Sequence, residues 1–148
     1  MPLFFNTANV SVVNKAVGGT SSKSFYNLFW PAVRDGLQAG DFVFIQFGIN
    51  DRNNANPARY TPTGGEFESY LTKYINETKA KVAPLVLVST LRRNAWNGDG
   101  VTVYDSYHDH PVAPLPSRLP LHHFVQLDLW YLQKVQVLHT NGLTEQHK

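Results

Sequence analysis

The hydrophobic positions change their period along the chain, and each period predicts a different element. Nearly continuous apolar runs at residues 41–47 and 85–90 predict buried strands, and a β-branched stretch at 10–13 predicts another that ends near Asn14. Between residues 66 and 82 apolar side chains return every three or four positions, which predicts an amphipathic helix. A shorter helix is predicted over 30–38, because Pro31 suits a first turn.

The remaining segments are predicted to be loops or weaker elements. Residues 15–24, 51–65 and 92–117 are rich in polar residues, Gly or Pro and are interpreted as loops, while 124–127 is a weak strand candidate and 129–138 a short helix candidate. Alternating strands and helices are typical of an α/β protein with parallel strands and helices on both faces of the sheet. Ligands bind such sheets at the carboxyl ends of the strands, so the loops that follow strands are the candidate site.

Composition narrows the possible functions. A chain of 148 residues with 43% hydrophobic and 16% charged residues fits one globular domain. Its net charge is only +2 and it has no basic stripe, so nucleic acid is not an expected partner. The absence of cysteine excludes disulfides, thiolate nucleophiles and Cys-ligated zinc. No apolar run approaches the roughly 18 residues that span a bilayer, so no membrane partner is expected.

Two loops that follow predicted strands carry a specific pattern. Residues 14–21, NKAVGGTS, give N-x-x-x-x-G-x-S, and residues 48–51, GIND, give G-x-N-D. Each pattern follows a strand and one helix separates them, which resembles the second and third signature blocks of the SGNH (GDSL-like) hydrolases. Over residues 10–112 the chain is most similar to the rhamnogalacturonan acetylesterase branch of that family.

The resemblance implies both a fold and an activity. The implied fold is a flavodoxin-like three-layer α/β/α arrangement with a mostly parallel sheet, and the implied activity is the removal of acetyl groups from pectic polysaccharide by a serine hydrolase. It also implies that the Gly19 backbone N–H and the Asn50 side-chain amide form an oxyanion hole, in which each donor stabilises the transition state by about 3–4 kcal/mol. From the residues alone, Gly18-Gly19 could instead be a tight turn and Asn50-Asp51 a cap for the next segment.

The chain departs from this family at its two other motifs. The family's nucleophile lies in a Gly-Asp-Ser motif after the first strand and its general base in a C-terminal D-x-x-H, and this sequence contains neither at the corresponding place. We therefore expect one truncated domain over 1–148 that lacks its first, central strand and does not catalyse. The two flanking strands would each keep a row of unpaired backbone groups, at about 1–3 kcal/mol per buried group. The chain is then expected to be unstable alone, or to close its sheet with the 10–13 strand displaced.

Other residues could be proposed as substitutes, and each has a simpler interpretation. Ser21 and Ser22 follow Gly19, but no G-x-S-x-G elbow surrounds them, so solvated loop serines are expected. Residues 105–108 match D-x-x-H but belong to a different loop from the family's base. Residues 108–110, His-Asp-His, lack a third ligand at a recognisable spacing. No metal and no cofactor are therefore expected.

The expected partner is an acetylated polysaccharide or oligosaccharide, bound by a monomer. The resemblance implies an extracellular protein, although the N-terminus has no basic stretch typical of a signal peptide. One alternative is a non-catalytic carbohydrate-binding module, suggested by the aromatic residues in the candidate loops: Tyr60, Trp96, Tyr104 and Tyr107. The other alternative is a gene fragment without function.

Overall fold

The computed structural model describes residues 8–90 and the backbone of residues 136–140. Strands and helices alternate through this part of the chain, which confirms the α/β class. In chain order they are β1 (Val10–Asn14), α1 (Ser22–Leu28), α2 (Trp30–Asp35), β2 (Phe42–Ile45), α3 (Glu66–Ala80), β3 (Leu85–Leu87) and β4 (Gln136–Thr140). No helix within the described ranges has both the length and the apolar character that a bilayer crossing requires.

The predicted strands at 10–13, 41–47 and 85–90 are confirmed, as is the long helix, while two other predictions are wrong. Helix α1 begins at Ser22, inside the predicted 15–24 loop, because Ser21 and Ser24 form a reciprocal capping box. The helix predicted over 129–138 is wrong for residues 136–138, which pair as a strand. The strand candidate at 124–127 lies outside the described residues.

The four strands form one sheet in the order β1-β4-β2-β3. Strand β4 runs antiparallel to both β1 and β2, whereas β2 and β3 are parallel. Strands β1, β2 and β3 therefore run in one direction and end at the same edge of the sheet. The loops that begin after Asn14, Ile45 and Leu87 consequently all start at that edge.

The expected gap between the first two strands is not observed. Strand β4 lies between β1 and β2, with Leu138 in register with Val12 on one side and Phe42 on the other. The expectation of two unpaired rows of backbone groups is therefore wrong. A strand of either direction satisfies exposed N–H and C=O groups, and β4 supplies that pairing from the C-terminal part of the chain.

The hydrophobic core lies between the helices and one face of the sheet. Val43 and Ile45 alternate with the half-buried Phe42 and Phe44 along β2 and contribute its fully buried face. The largest side chains completely buried against them come from all three helices: Phe25, Trp30, Phe67 and Tyr74. All described helices thus share one core, and the three-layer arrangement with helices on both faces stays a prediction.

A second set of contacts ties the helices together through the carboxylate of Glu77. Trp30 Nε1 donates to Glu77 Oε2 at 2.9 Å, Arg34 Nη1 lies 3.4 Å from the same oxygen, and the Tyr26 hydroxyl donates to Oε1. Burial alone would raise the pKa of Glu77, but these three donors outweigh it and hold the pKa below its ordinary value. The hydrogen bond from the Tyr26 hydroxyl to Glu77, together with burial, raises the pKa of Tyr26 to about 12.

Candidate functional site

Three consecutive residues after β2 each bind a different part of the carboxyl edge of the sheet. Asn50 Nδ2 donates to the Thr20 carbonyl, in the loop after β1, at 2.9 Å. The Asp51 carboxylate accepts from the Ser22 backbone N–H, at the start of α1, at 3.0 Å. Arg52 Nη2 lies 3.3 Å from Thr90 Oγ1, beyond β3. The G-x-N-D block and the arginine that follows it therefore connect the three loops that the parallel strands bring to this edge.

The structure brings Gly19 and Asn50 to the same rim. Thr20, whose carbonyl accepts from Asn50, directly follows Gly19 in the chain, and both glycine and asparagine are half-buried. Gly19 has φ +78°, a left-handed conformation that side chains with a Cβ rarely adopt. Within the described residues its N–H makes no hydrogen bond, and only one bond of the Asn50 amide is made. Among these residues the Gly19 N–H is therefore a free donor, and the Asn50 side-chain NH₂, which carries two hydrogens, has one hydrogen left to donate.

The two serines that follow this glycine are structural. Ser21 and Ser22 are both 0% exposed, so the expectation of solvated loop serines is wrong. Ser21 caps α1 through its side chain, and the Ser22 hydroxyl donates to Asp51 Oδ1. Neither hydroxyl is exposed to solvent.

Asp51 is the residue on which this rim depends most, and its role was not predicted from the sequence beyond a possible cap. Its Oδ1 accepts from both the amide and the hydroxyl of Ser22 and from Thr61 Oγ1 at 2.6 Å, and its Oδ2 accepts from the Gly48 N–H at 2.9 Å. Burial raises the pKa of Asp51, and the hydrogen bonds from Ser22, Thr61 and Gly48 offset only part of that rise. The D of G-x-N-D was the signal that could have identified it.

Tyr74 of α3 contacts both the start of α1 and the residue Phe47 that follows β2. Its hydroxyl donates to the Ser22 carbonyl at 2.8 Å, and its ring is stacked on Phe47, which ends the apolar run after β2. Burial, together with the nearby charge of Asp51, raises the pKa of Tyr74 well above its ordinary value, so the hydroxyl stays protonated and keeps donating. The start of α1, where the loop after β1 ends, is thus hydrogen-bonded to a tyrosine of α3.

Several residues considered from the sequence are not part of the described structure. The histidines and aspartates of 105–110 lie outside the described residues, as do Trp96, Tyr104 and Tyr107. Among the residues that are described, no three His, Asp or Glu side chains are grouped so that they could hold a metal ion.

Comparison with curated proteins finds relatives of one kind. A probable rhamnogalacturonan acetylesterase of Bacillus subtilis, YesY, is 33% identical over 101 residues, which are 67% of this chain and 46% of the relative. Rhamnogalacturonan acetylesterase RhgT of the same organism is 30% identical over 92 residues, 62% of this chain and 38% of RhgT. The rhamnogalacturonan acetylesterase of Emericella nidulans is 43% identical over 47 residues, 31% of this chain and 19% of the relative.

A scan against models of protein families finds no match. The chain spans less than half the length of the curated relatives that it matches. These matches, together with two signature blocks that meet at the carboxyl edge of an α/β sheet, confirm the resemblance inferred from the sequence. The matched two thirds of the chain are homologous to the rhamnogalacturonan acetylesterases and share their SGNH-type carbohydrate-esterase scaffold.

Proposed function

We propose that this scaffold serves the hydrolysis of acetyl esters on a pectic, rhamnogalacturonan-type polysaccharide, and that Gly19 and Asn50 hold the ester's carbonyl oxygen. The observation that carries the proposal is the 2.9 Å bond from Asn50 Nδ2 to the Thr20 carbonyl, which fixes the amide beside the Gly19 loop. As water or a nucleophile attacks an ester, its carbonyl oxygen gains negative charge. Two donors already aimed at that oxygen stabilise the charge without having to reorganise.

Each donor is held by independent contacts. Gly19 keeps its positive φ because no Cβ opposes it, and the Thr20 N–H that follows it turns back to the Val17 carbonyl at 3.4 Å. Asn50 is held by Thr20 and by its neighbour Asp51, whose carboxylate is locked by the start of α1. A donor that does not titrate near neutral pH is suited to this role, since an amide carries no charge that could change with pH.

The 148 residues themselves are proposed to bind the ester without cleaving it. Their sequence contains no Gly-Asp-Ser, and the two serines nearest the rim are buried and engaged. Removing a serine nucleophile leaves an oxyanion hole that still binds its ligand. Binding and hydrolysis can therefore be measured separately on this chain.

The experiment is a nuclear magnetic resonance titration with a neutral acetylated monosaccharide, using the same sugar without its acetyl group as the matched ligand control. We expect the Gly19 backbone N–H and the Asn50 side-chain NH₂ signals to move together and to saturate with the acetylated sugar only. Asn50→Ala should abolish the Gly19 response, whereas Asn53→Ala, an exposed change in the same loop, should not. Equal responses to both sugars, or none, would refute the site, and acetate release above buffer would refute only the lack of cleavage.

A further inference from the structure

Arg59 lies against the glycine of the proposed oxyanion hole. Its guanidinium atoms Nη2, Nη1 and Cζ are 3.8, 3.9 and 4.0 Å from the position that a Cβ on Gly19 would occupy. Those distances would be ordinary van der Waals contact for an added Cβ, so the guanidinium lies beside Gly19 with room for about one methyl group between them. A positive charge is thus placed at the rim where the ester is proposed to bind.

The backbone around Arg59 is fixed to the same rim. The N–H groups of Arg59 and Tyr60 both donate to the Asn56 carbonyl, at 3.0 and 2.9 Å, and close a turn. The next residue, Thr61, bonds to Asp51 through its side chain at 2.6 Å and through its N–H at 3.2 Å. The turn that carries Arg59 is therefore anchored to the block that carries Asn50. The backbone of Arg59 has a defined position from which its side chain reaches the rim.

Arg59 differs in its surroundings from Lys23 and Arg34. Lys23 pairs with Glu66, and Arg34 pairs with Asp35 and Glu77. Within the described residues no carboxylate lies within salt-bridge distance of Arg59, although its side chain is half-buried. A guanidinium presents donors in a planar fork that matches the two oxygens of a carboxylate.

We propose that Arg59 is a specificity residue that binds the carboxylate of a uronic acid unit next to the acetylated sugar. This inference depends on the proposed function, because only a substrate held at Gly19 and Asn50 would bring a neighbouring sugar to Arg59. A galacturonan chain carries one carboxylate on each galacturonic acid unit, so a polymer of this kind offers the anion at every such sugar. A neutral acetylated polysaccharide would leave the guanidinium without a partner.

Isothermal titration calorimetry with two ligands that share one sugar backbone tests this inference. The ligands are an acetylated oligogalacturonate and the same acetylated oligomer with every carboxylate methyl-esterified, each titrated into the 148-residue chain. We expect the free acid to bind about tenfold to a hundredfold more tightly, the range expected for losing a hydrogen bond to a charged group. Equal affinity for the two oligomers, or no binding of the acid, would overturn the proposal without the use of any variant.

Variants then locate the effect. Arg59→Gln should remove the preference for the acid, while Arg59→Lys, which keeps the charge but loses the fork, should retain part of it. Lys79→Gln makes the same change of net charge at an exposed position on α3 and should leave the preference intact. If Lys79→Gln weakens binding as much as Arg59→Gln, the attraction is only that of overall charge, and the proposal fails.

The outcome is distinguishable from a failure of the proposed function. The neutral acetylated sugar used to test Gly19 and Asn50 has no carboxylate, so its titration should be unchanged in Arg59→Gln. If the wild-type chain prefers the acid and Arg59→Gln loses that preference while keeping its acetyl response, both proposals are supported. If the wild-type chain shows the acetyl response but no preference for the acid, only the proposal for Arg59 is refuted.

Discussion

Replacing Asp51 by alanine should lower the free energy of unfolding more than replacing any residue on the surface of the protein. The carboxylate is 0% exposed and is the shared acceptor for Ser22, Gly48 and Thr61, which belong to three different parts of the chain. Asp51→Ala leaves the backbone N–H groups of Ser22 and Gly48 without this acceptor. The two hydroxyl groups can rotate toward other acceptors, but a backbone N–H cannot.

The magnitude follows from those two N–H groups. A buried donor left unsatisfied costs about 1–3 kcal/mol, so the pair costs about 2–6 kcal/mol. Relief of the buried charge, whose desolvation raises the pKa of Asp51, returns part of this. We therefore expect a net loss of about 2–4 kcal/mol, a large share of the roughly 5–15 kcal/mol that stabilises a typical domain.

Urea denaturation followed by tryptophan fluorescence measures the loss, because Trp30 is fully buried in the core. With a slope of about 1–3 kcal/mol per molar urea, the midpoint should fall by about 1 M or more. Asp35→Ala is the matched control: its carboxylate is 65% exposed and pairs only with Arg34 on the surface, so its effect should stay within about 0.5 kcal/mol. Equal losses in the two variants would refute the assigned role of Asp51.

The pH dependence gives a second check with a defined sign. Because the pKa of Asp51 is raised in the folded state, the folded chain binds more protons than the unfolded chain just above the ordinary pKa of an aspartate. The stability that Asp51 contributes is therefore complete below that pKa and declines as the pH rises through the folded pKa. The difference in free energy of unfolding between wild type and Asp51→Ala should shrink as the pH rises from about 4. A difference that grows over this range would contradict the burial argument.

Three further predictions follow from the described contacts. Gly19→Ala should lower the free energy of unfolding by about 1–2 kcal/mol, measured by thermal melts, because alanine disfavours the positive φ of this position. The added Cβ itself would meet Arg59 at 3.8 Å without a clash. Gly18→Ala, where nothing lies within 4 Å of the added Cβ, should leave the melt almost unchanged. Glu77→Gln should lower the pKa of Tyr26 from about 12 toward its ordinary value, measured as an earlier rise of phenolate absorbance in an alkaline titration; an unchanged titration would contradict the assigned cause. Leu138→Pro should lower the free energy of unfolding by about 1–3 kcal/mol, because β4 is paired on both sides there and proline cannot donate to the sheet. A melt unchanged from wild type would show that β4 does not support the sheet.

Sequence reasoning succeeded where one local signal determined the structure. The apolar run that contains Val43 and Ile45 defined β2, and the three-to-four spacing of residues such as Phe67 and Tyr74 defined α3. The same reasoning placed Gly19 and Asn50 after two parallel strands and so at one rim, because parallel strands end at a common edge. Their roles in binding an ester remain proposals.

It failed where a structure depends on contacts between distant residues. Helix α1 is short and lies in a polar segment, and the buried Ser22 at its start donates to Asp51, which lies 29 positions further along the chain. Likewise, nothing in the spacing around Arg59 indicates that its guanidinium would lie beside Gly19. Such contacts join loops that the sheet brings close together. The spacing of hydrophobic residues along the chain therefore does not predict them.

The direction of β4 matters for the chemistry of this rim. The position between β1 and β2 can be filled by any strand that pairs with their backbone N–H and C=O groups. An antiparallel strand does so as well as a parallel one. With Gln136 in register with both Asn14 and Phe44, β4 begins near the carboxyl edge and proceeds away from it. A parallel strand in that position would instead end at the rim and deliver its following loop there. The sheet thus keeps the Gly19 and Asn50 loops as neighbours across β4, while the position from which a central strand would present a residue to the ester is taken by the start of β4.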